Sequence, residues 1–143
     1  MTRRICCAAV MALTGLGVIG MSLASAGTAA TRAKTVKEVM ETLNKGPKSE
    51  GAKLKTALAA KTPDWDAIQS STKLYADLGP ALAENDPPKG TKESWKTQSE
   101  TFASQAKALG AAADKKDLAT TKTAFQKVSM SCMGCHRAHR PMK

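Results

Sequence analysis

Val36, Val39, Met40 and Leu43 fall at i, i+3, i+4 and i+7, the spacing of one apolar stripe on a helix. Thr35 opens that segment and Glu38 stands three residues on, the S/T-x-x-E form of a capping box. Lys45-Gly46-Pro47 then breaks or kinks the helix, and a second stretch over 48–61 carries Leu54, Ala57 and Leu58. Thr62-Pro63 reads as a start signal, with Thr62 the cap and proline in the first helical position. Trp65, Ile68, Thr72, Tyr75 and Leu82 mark the inward side of a helix running to about Ala83. Residues 84–90 form a loop with two consecutive prolines and a glycine. Thr91 can cap the next helix, where Trp95, Phe102 and Leu109 recur every seven residues. Asp114 is expected to cap the last helix, with Asp117 favourable to its dipole. Its inward residues are Leu118, Phe125, Val128, Cys132 and Cys135, and Pro141 closes it. No strand pattern interrupts this series. Short connections make neighbouring helices antiparallel, so the expected fold is an all-α, antiparallel four-helix bundle.

The N-terminus departs from the amphipathic pattern. Arg3 and Arg4 precede an apolar, small-residue run from Ile5 to Leu23, and Ala24-Ser25-Ala26 gives an A-x-A cleavage site. We read residues 1–26 as a cleavable signal peptide and 27–143 as the mature four-helix domain. A retained transmembrane anchor is the alternative, since the run approaches spanning length, but its glycines and small residues favour cleavage. Cys6 and Cys7 would leave with the leader. No stable membrane insertion is then expected. Removing Arg3 and Arg4 lowers the formal charge from +10 to +8. A solvated, lysine-rich surface is the simpler reading of that charge; steering towards an acidic redox partner or an anionic membrane face is the other. Nucleic-acid binding fits poorly, because lysines are spread over all helices and few aromatics could stack on bases.

Cys132-Met133-Gly134-Cys135-His136 carries the chemistry. C-x-x-C-H is the attachment site of a c-type haem. Two thiols add across the vinyl groups of one porphyrin edge, so they must lie close together, and the next residue offers an imidazole to the iron. On a helix, positions i, i+3 and i+4 share a face, so Cys132, Cys135 and His136 converge. A thioredoxin-like pair would open a helix after a strand, in a βαβ context that is missing here. A zinc site could draw on Cys132, Cys135, His136 and His139, but four ligands within a turn or two would wrap a tetrahedral ion poorly. A disulfide between two cysteines on one helix is strained. Export agrees with haem, since a bacterial c-type cytochrome receives its haem outside the cytoplasmic membrane. The aromatics of the predicted domain are Trp65, Tyr75, Trp95, Phe102 and Phe125, and many inward positions are alanine. A porphyrin would supply apolar volume that such a core lacks, although closely packed alanine-rich bundles also exist.

A four-helix chain with C-x-x-C-H near its C-terminus resembles the class II c-type cytochromes, the cytochrome c′ family. Cys132-x-x-Cys135-His136-x-x-x-Arg140 matches that family's motif and the basic residue four positions beyond it. Thr62-Pro63-Asp64-Trp65 and the Trp95 helix are weaker elements of the same likeness. The resemblance implies one covalently bound haem c held by Cys132 and Cys135, with His136 as proximal iron ligand and Arg140 near a propionate. It also divides at the distal side. Low-spin members place a first-helix methionine on the iron and act as electron carriers, and Met40 stands on the inward stripe of the first helix. High-spin members leave the iron five-coordinate and bind nitric oxide or carbon monoxide. A thioether suits iron that cycles between two oxidation states, whereas methionine is also a common core filler. The leading expectation is a periplasmic, monohaem one-electron carrier with His136 and Met40 as axial ligands and no substrate chemistry of its own. Its partners would be redox proteins. Family members often form dimers, so the resemblance allows a homodimer. His139 reads as a surface histidine on the proximal side.

Overall fold

A computed structural model describes residues 34–141. The expected leader, 1–26, lies outside them. The chain divides into two units, Met1–Ala30 and Thr31–Lys143, and every described residue belongs to the second.

The described residues form five α-helices and no strand: α1 Val36–Asn44, α2 Glu50–Ala59, α3 Trp65–Leu78, α4 Lys92–Asp114 and α5 Leu118–His139. A short 3-10 turn, Pro80–Leu82, follows α3. The capping box at Thr35 is formed in both directions, Glu38 N–H donating to Thr35 Oγ1 at 3.3 Å and Thr35 N–H donating to Glu38 Oε2 at 2.8 Å. The first bundle helix is broken rather than kinked. Gly46 takes φ +81°, a left-handed conformation open to glycine, and Ser49 then caps α2 as a new helix.

Two predicted starts move downstream. Asp64, not Thr62, caps α3, its side chain accepting from Ala67 N–H at 3.1 Å, so Pro63 lies before the cap. Asp117, not Asp114, caps α5, accepting from Thr120 N–H at 3.1 Å, while Asp114 ends α4. In each pair both residues are competent caps, and the one with its oxygen against the free N–H groups of the first turn prevails.

The helices run antiparallel along α3, α4 and α5. Gln69 on α3 donates to the carbonyl of Ala113, while Gly79, just past α3, lies against Ala103. At the other interface, His139 at the end of α5 meets Ser94 near the start of α4. The core is built from Val39, Leu43, Leu54, Ile68, Tyr75, Leu82, Trp95, Phe102 and Leu109, with Ala106 and Ala113 letting α4 approach closely. α5 contributes one fully buried apolar residue, Val128; its other inward residues, Leu118, Phe125, Cys132 and Cys135, stay half-buried. The reason is topological. α1 and α2 pack on α3, α3 on α4 and α4 on α5, but among the described residues no comparable packing joins α1 or α2 to α5. The bundle is open along that seam.

Two contacts hold the broken helix to α3. The Tyr75 hydroxyl lies 3.2 Å from both the Leu43 carbonyl and Asn44 Oδ1 and can donate to either. Burial pushes that phenol far above its ordinary pKa, so it stays a neutral donor. Glu50 is buried at the start of α2, where its carboxylate accepts from Ser71 Oγ at 2.8 Å and pairs with Lys53 at 2.7 Å. Burial alone would raise its pKa; the bonds from Lys53 and Ser71 outweigh that and hold it below the ordinary value.

A depressed folded pKa means that the Glu50 contribution is complete above the unfolded carboxylate range and is lost as pH falls through the folded value. Glu50→Gln should therefore cost about 1 kcal/mol at pH 7, mostly by replacing the charged acceptor of the Ser71 bond with a neutral one, because Lys53 is largely in solvent. The difference from the unsubstituted chain should close in acid, as read by chemical denaturation at several pH values. Gly51→Ala should be worse at every pH, since its Cβ would meet Tyr75 Oη at 2.8 Å and the Leu43 carbonyl at 2.9 Å.

Candidate cofactor site

The seam between α1 and α5 encloses a cavity of about 470 Å³. α1 lines it with Val36, Met40 and Asn44, and α5 with Cys135, His136 and His139, followed by Arg140 and Pro141. Lys37, Glu41, Lys45, Pro88 and Trp95 complete the wall. A second cavity of about 220 Å³ shares Asn44 as a lining residue and reaches Cys132, Phe125 and Tyr75. The two run beside the half-buried stripe of α5.

The sequence-predicted residues are distributed as follows. Cys135, His136, Arg140 and Met40 line the larger cavity, and Cys132 lines the smaller one. The two thiols are free and half-buried. Cys132 Sγ donates to the Val128 carbonyl at 3.3 Å. Burial pushes both thiols above their ordinary pKa, and the charge of Cys135 adds to the effect on Cys132. For His136, burial and then the Arg140 guanidinium pull the imidazole below its ordinary value, favouring the neutral ring with a free lone pair. Arg140 caps α5, its backbone N–H donating to the His136 carbonyl at 3.0 Å while its side chain stays exposed. Met40 is half-buried, and its sulfur lies 4.0 Å from Asn44 Nδ2. Since Asn44 Oδ1 faces Tyr75 Oη, the amide nitrogen is turned towards the thioether.

His139 corrects the surface assignment: it is 2% exposed. Its Nδ1 is 2.7 Å from the Lys89 carbonyl and its Nε2 is 3.2 Å from Ser94 Oγ. The ring stands edge-on to Trp95, centroids 5.2 Å apart. The signal was present in the sequence, since Val128, Cys132, Cys135 and His139 are spaced 4, 3 and 4 along one stripe. With both ring nitrogens engaged elsewhere, His139 cannot complete the zinc alternative as placed. No group of three or more His, Cys, Asp or Glu among the described residues is arranged to hold a metal ion by itself. Asn44 is the other site residue that sequence reasoning missed.

The donors present fit a haem. Two thiols, the His136 imidazole and one thioether border the two cavities, and the stripe of α5, although Phe125 meets Tyr75, stays half-buried along them. Cys132 and Cys135 would hold the macrocycle, His136 and Met40 would offer nitrogen and sulfur to its iron, and Arg140 is the cation available to a propionate.

Comparison with known proteins gives two findings. Residues 90–140 match the family model described as cytochrome c′. Among solved structures, the fold is similar to the crystal structure of cytochrome c′ from Thermochromatium tepidum, with a TM-score of 0.55 and 21% identity. That likeness covers 65% of this chain and 84% of the other. No curated protein matches the sequence.

The raised thiol pKa values carry a test in the haem-free chain. Both cysteines should be alkylated by iodoacetamide more slowly than free cysteine at pH 8, Cys132 more slowly than Cys135. The gap should narrow as pH rises above the ordinary thiol range. Peptide mass mapping of the alkylated chain separates the two positions.

Proposed function

Taking the chain as a member of the cytochrome c′ family, where residues 90–140 place it, we propose that it is a one-electron carrier with His136 and Met40 as axial ligands. Members of that family carry one covalently attached haem c, and so does this chain. The observation that supports the carrier reading is that Met40 and His136, from α1 and α5, line one cavity. When bound, the haem supplies an iron that alternates between its ferrous and ferric states. Everything else is the work of the chain. Cys132 and Cys135 fix the group to α5, and the neutral His136 ring presents its lone pair. Met40 offers a soft, uncharged sulfur whose orientation Asn44 guides. Apolar surface in the larger cavity, with the methionine ligand, would tune the potential.

We read the chain as a carrier rather than an enzyme. Its site of action would be the periplasm, reached by cleavage of residues 1–26, and its positive charge would favour an acidic redox partner. Among the described residues no helix is long and apolar enough to cross a membrane.

A second reading rests on the 4.0 Å contact between Met40 and Asn44. If that contact keeps the sulfur off the iron, the site is five-coordinate and binds nitric oxide or carbon monoxide. Absorption spectroscopy of the exported, haem-loaded protein decides. A low-spin ferrous spectrum with a methionine–iron charge-transfer band in the ferric form is expected, and Met40→Ala should convert it to a high-spin spectrum that responds to carbon monoxide. A high-spin spectrum before any substitution would establish the second reading instead.

A further inference from the structure

His139 stands where three parts of the fold meet, and the haem-holding residues need only the first of them. Its backbone ends α5, one turn beyond His136. Its ring lies against Trp95 of α4. Its Nδ1 faces the carbonyl of Lys89, in the loop between the 3-10 turn and α4. A carbonyl can only accept, so Nδ1 carries the proton, and in the neutral ring Nε2 is left to accept from Ser94. Gln98 Nε2 in turn donates to Ser94 Oγ at 3.1 Å, which orients the hydroxyl. All the ring's polar capacity is used inside the protein.

The backbone around it is shaped to the ring. Gly90, at φ +84°, lies so close that a Cβ there would sit 2.9 Å from Nδ1 and 3.1 Å from Cε1 of His139. The same loop also holds the other wall of the cavity. Asn85 Nδ2 donates to the Lys34 carbonyl at 3.0 Å, immediately before the cap of α1. One loop thus grips the start of α1 through Asn85 and the end of α5 through His139, the two walls that carry Met40 and His136.

We propose that His139 is a positioning residue: through Lys89, Ser94 and Trp95 it pins the last turn of α5 and so fixes the orientation of His136 towards the iron. The proposal rests on the reading of His136 as an iron ligand. Its basis is mechanical. The last turn of a helix has carbonyls without intrahelical partners and frays unless something holds it. Here the residue that holds it is spaced one turn from the ligand.

The test uses the haem-loaded protein and two readings, the ferric and ferrous spectra and backbone hydrogen exchange over residues 136–140. His139→Phe keeps a ring against Trp95 but removes both polar ties. It should leave the covalent haem in place by intact mass, mix the axial-ligand spectrum into more than one species and speed exchange by roughly tenfold or more. His139→Asn retains an N–H that can reach the Lys89 carbonyl and should recover much of both readings. Gly90→Ala alters no α5 residue, yet its Cβ would meet the His139 ring and the Ala138 carbonyl and should reproduce the His139→Phe signature; should His139→Phe fail to fold, His139→Gln, which loses the Trp95 ring contact and the Nδ1 geometry, decides by the same readings. A His139→Phe protein with the original spectrum and exchange would overturn the proposal, as would His139→Asn behaving no better than Phe. His136→Gly checks the reading beneath: it should lose the imidazole signature and regain it with added imidazole. An unchanged His136→Gly spectrum removes the ligand assignment and the proposal with it, whereas loss in His136→Gly beside an unchanged His139→Phe removes the proposal alone.

Discussion

The inward stripe of α5 is only partly covered by the chain's own helices. Elsewhere in the bundle each helix finds a neighbour: α2 against α3, α3 against α4, α4 against α5. Along the seam facing α1 and α2, Phe125, Cys132 and Cys135 remain half-buried. A stripe of this kind left open costs hydrophobic free energy, on the order of 25 cal/mol for each Å² of apolar surface left in water. A flat apolar group bonded to Cys132 and Cys135 would complete the cover and lie where Met40 and His136 can reach it. The scarcity of large side chains in the core, with Ala106 and Ala113 at fully buried positions, belongs to the same economy. The protein core closes around α3 and α4, and the fourth side is left for something else.

The electrostatics of the seam follow from that geometry. Beside the cavity, burial raises both thiols and, with the Arg140 guanidinium, lowers His136, whereas the Lys45 ammonium holds Glu41 in its charged form. Neutral imidazole is the form that can ligate a metal. Arg140 adds a cation at the rim, where it reinforces the neutral state of His136 and remains free to meet an anionic group. Tyr75, at the inner end, is kept neutral for the same reason and anchors Leu43 and Asn44 behind Met40.

Periodicity made most of this fold readable from the sequence. The stripes through Val39 and Leu43, through Ile68, Thr72 and Tyr75, and through Trp95, Phe102 and Leu109 are all buried. The C-x-x-C-H segment was legible because its chemistry constrains adjacent residues. What escaped depends on partners distant in the chain. Asp64 and Asp117 could not be separated from the nearby caps Thr62 and Asp114, since cap choice turns on a dihedral at a single residue. His139 sat on the inward stripe, but nothing local announced the Lys89 carbonyl fifty residues away or the glycine that makes room for the ring. The cavity is also non-local: it exists because two helices fail to meet.

The break at Gly46 leaves α1 only nine residues long. A helix of that length is marginal by itself, since isolated helices shorter than about 12–15 residues rarely persist in water. α1 therefore owes its order to its capping box, to Val39 and Leu43 buried in the core and to the Tyr75 tie at its end. α5, with 22 residues and an extended interface on α4, carries no such dependence. The consequence is a difference in what each wall leans on: the wall with Cys132 and Cys135 rests on α4 along its length, whereas the wall with Met40 is tied at its two ends and by two core residues.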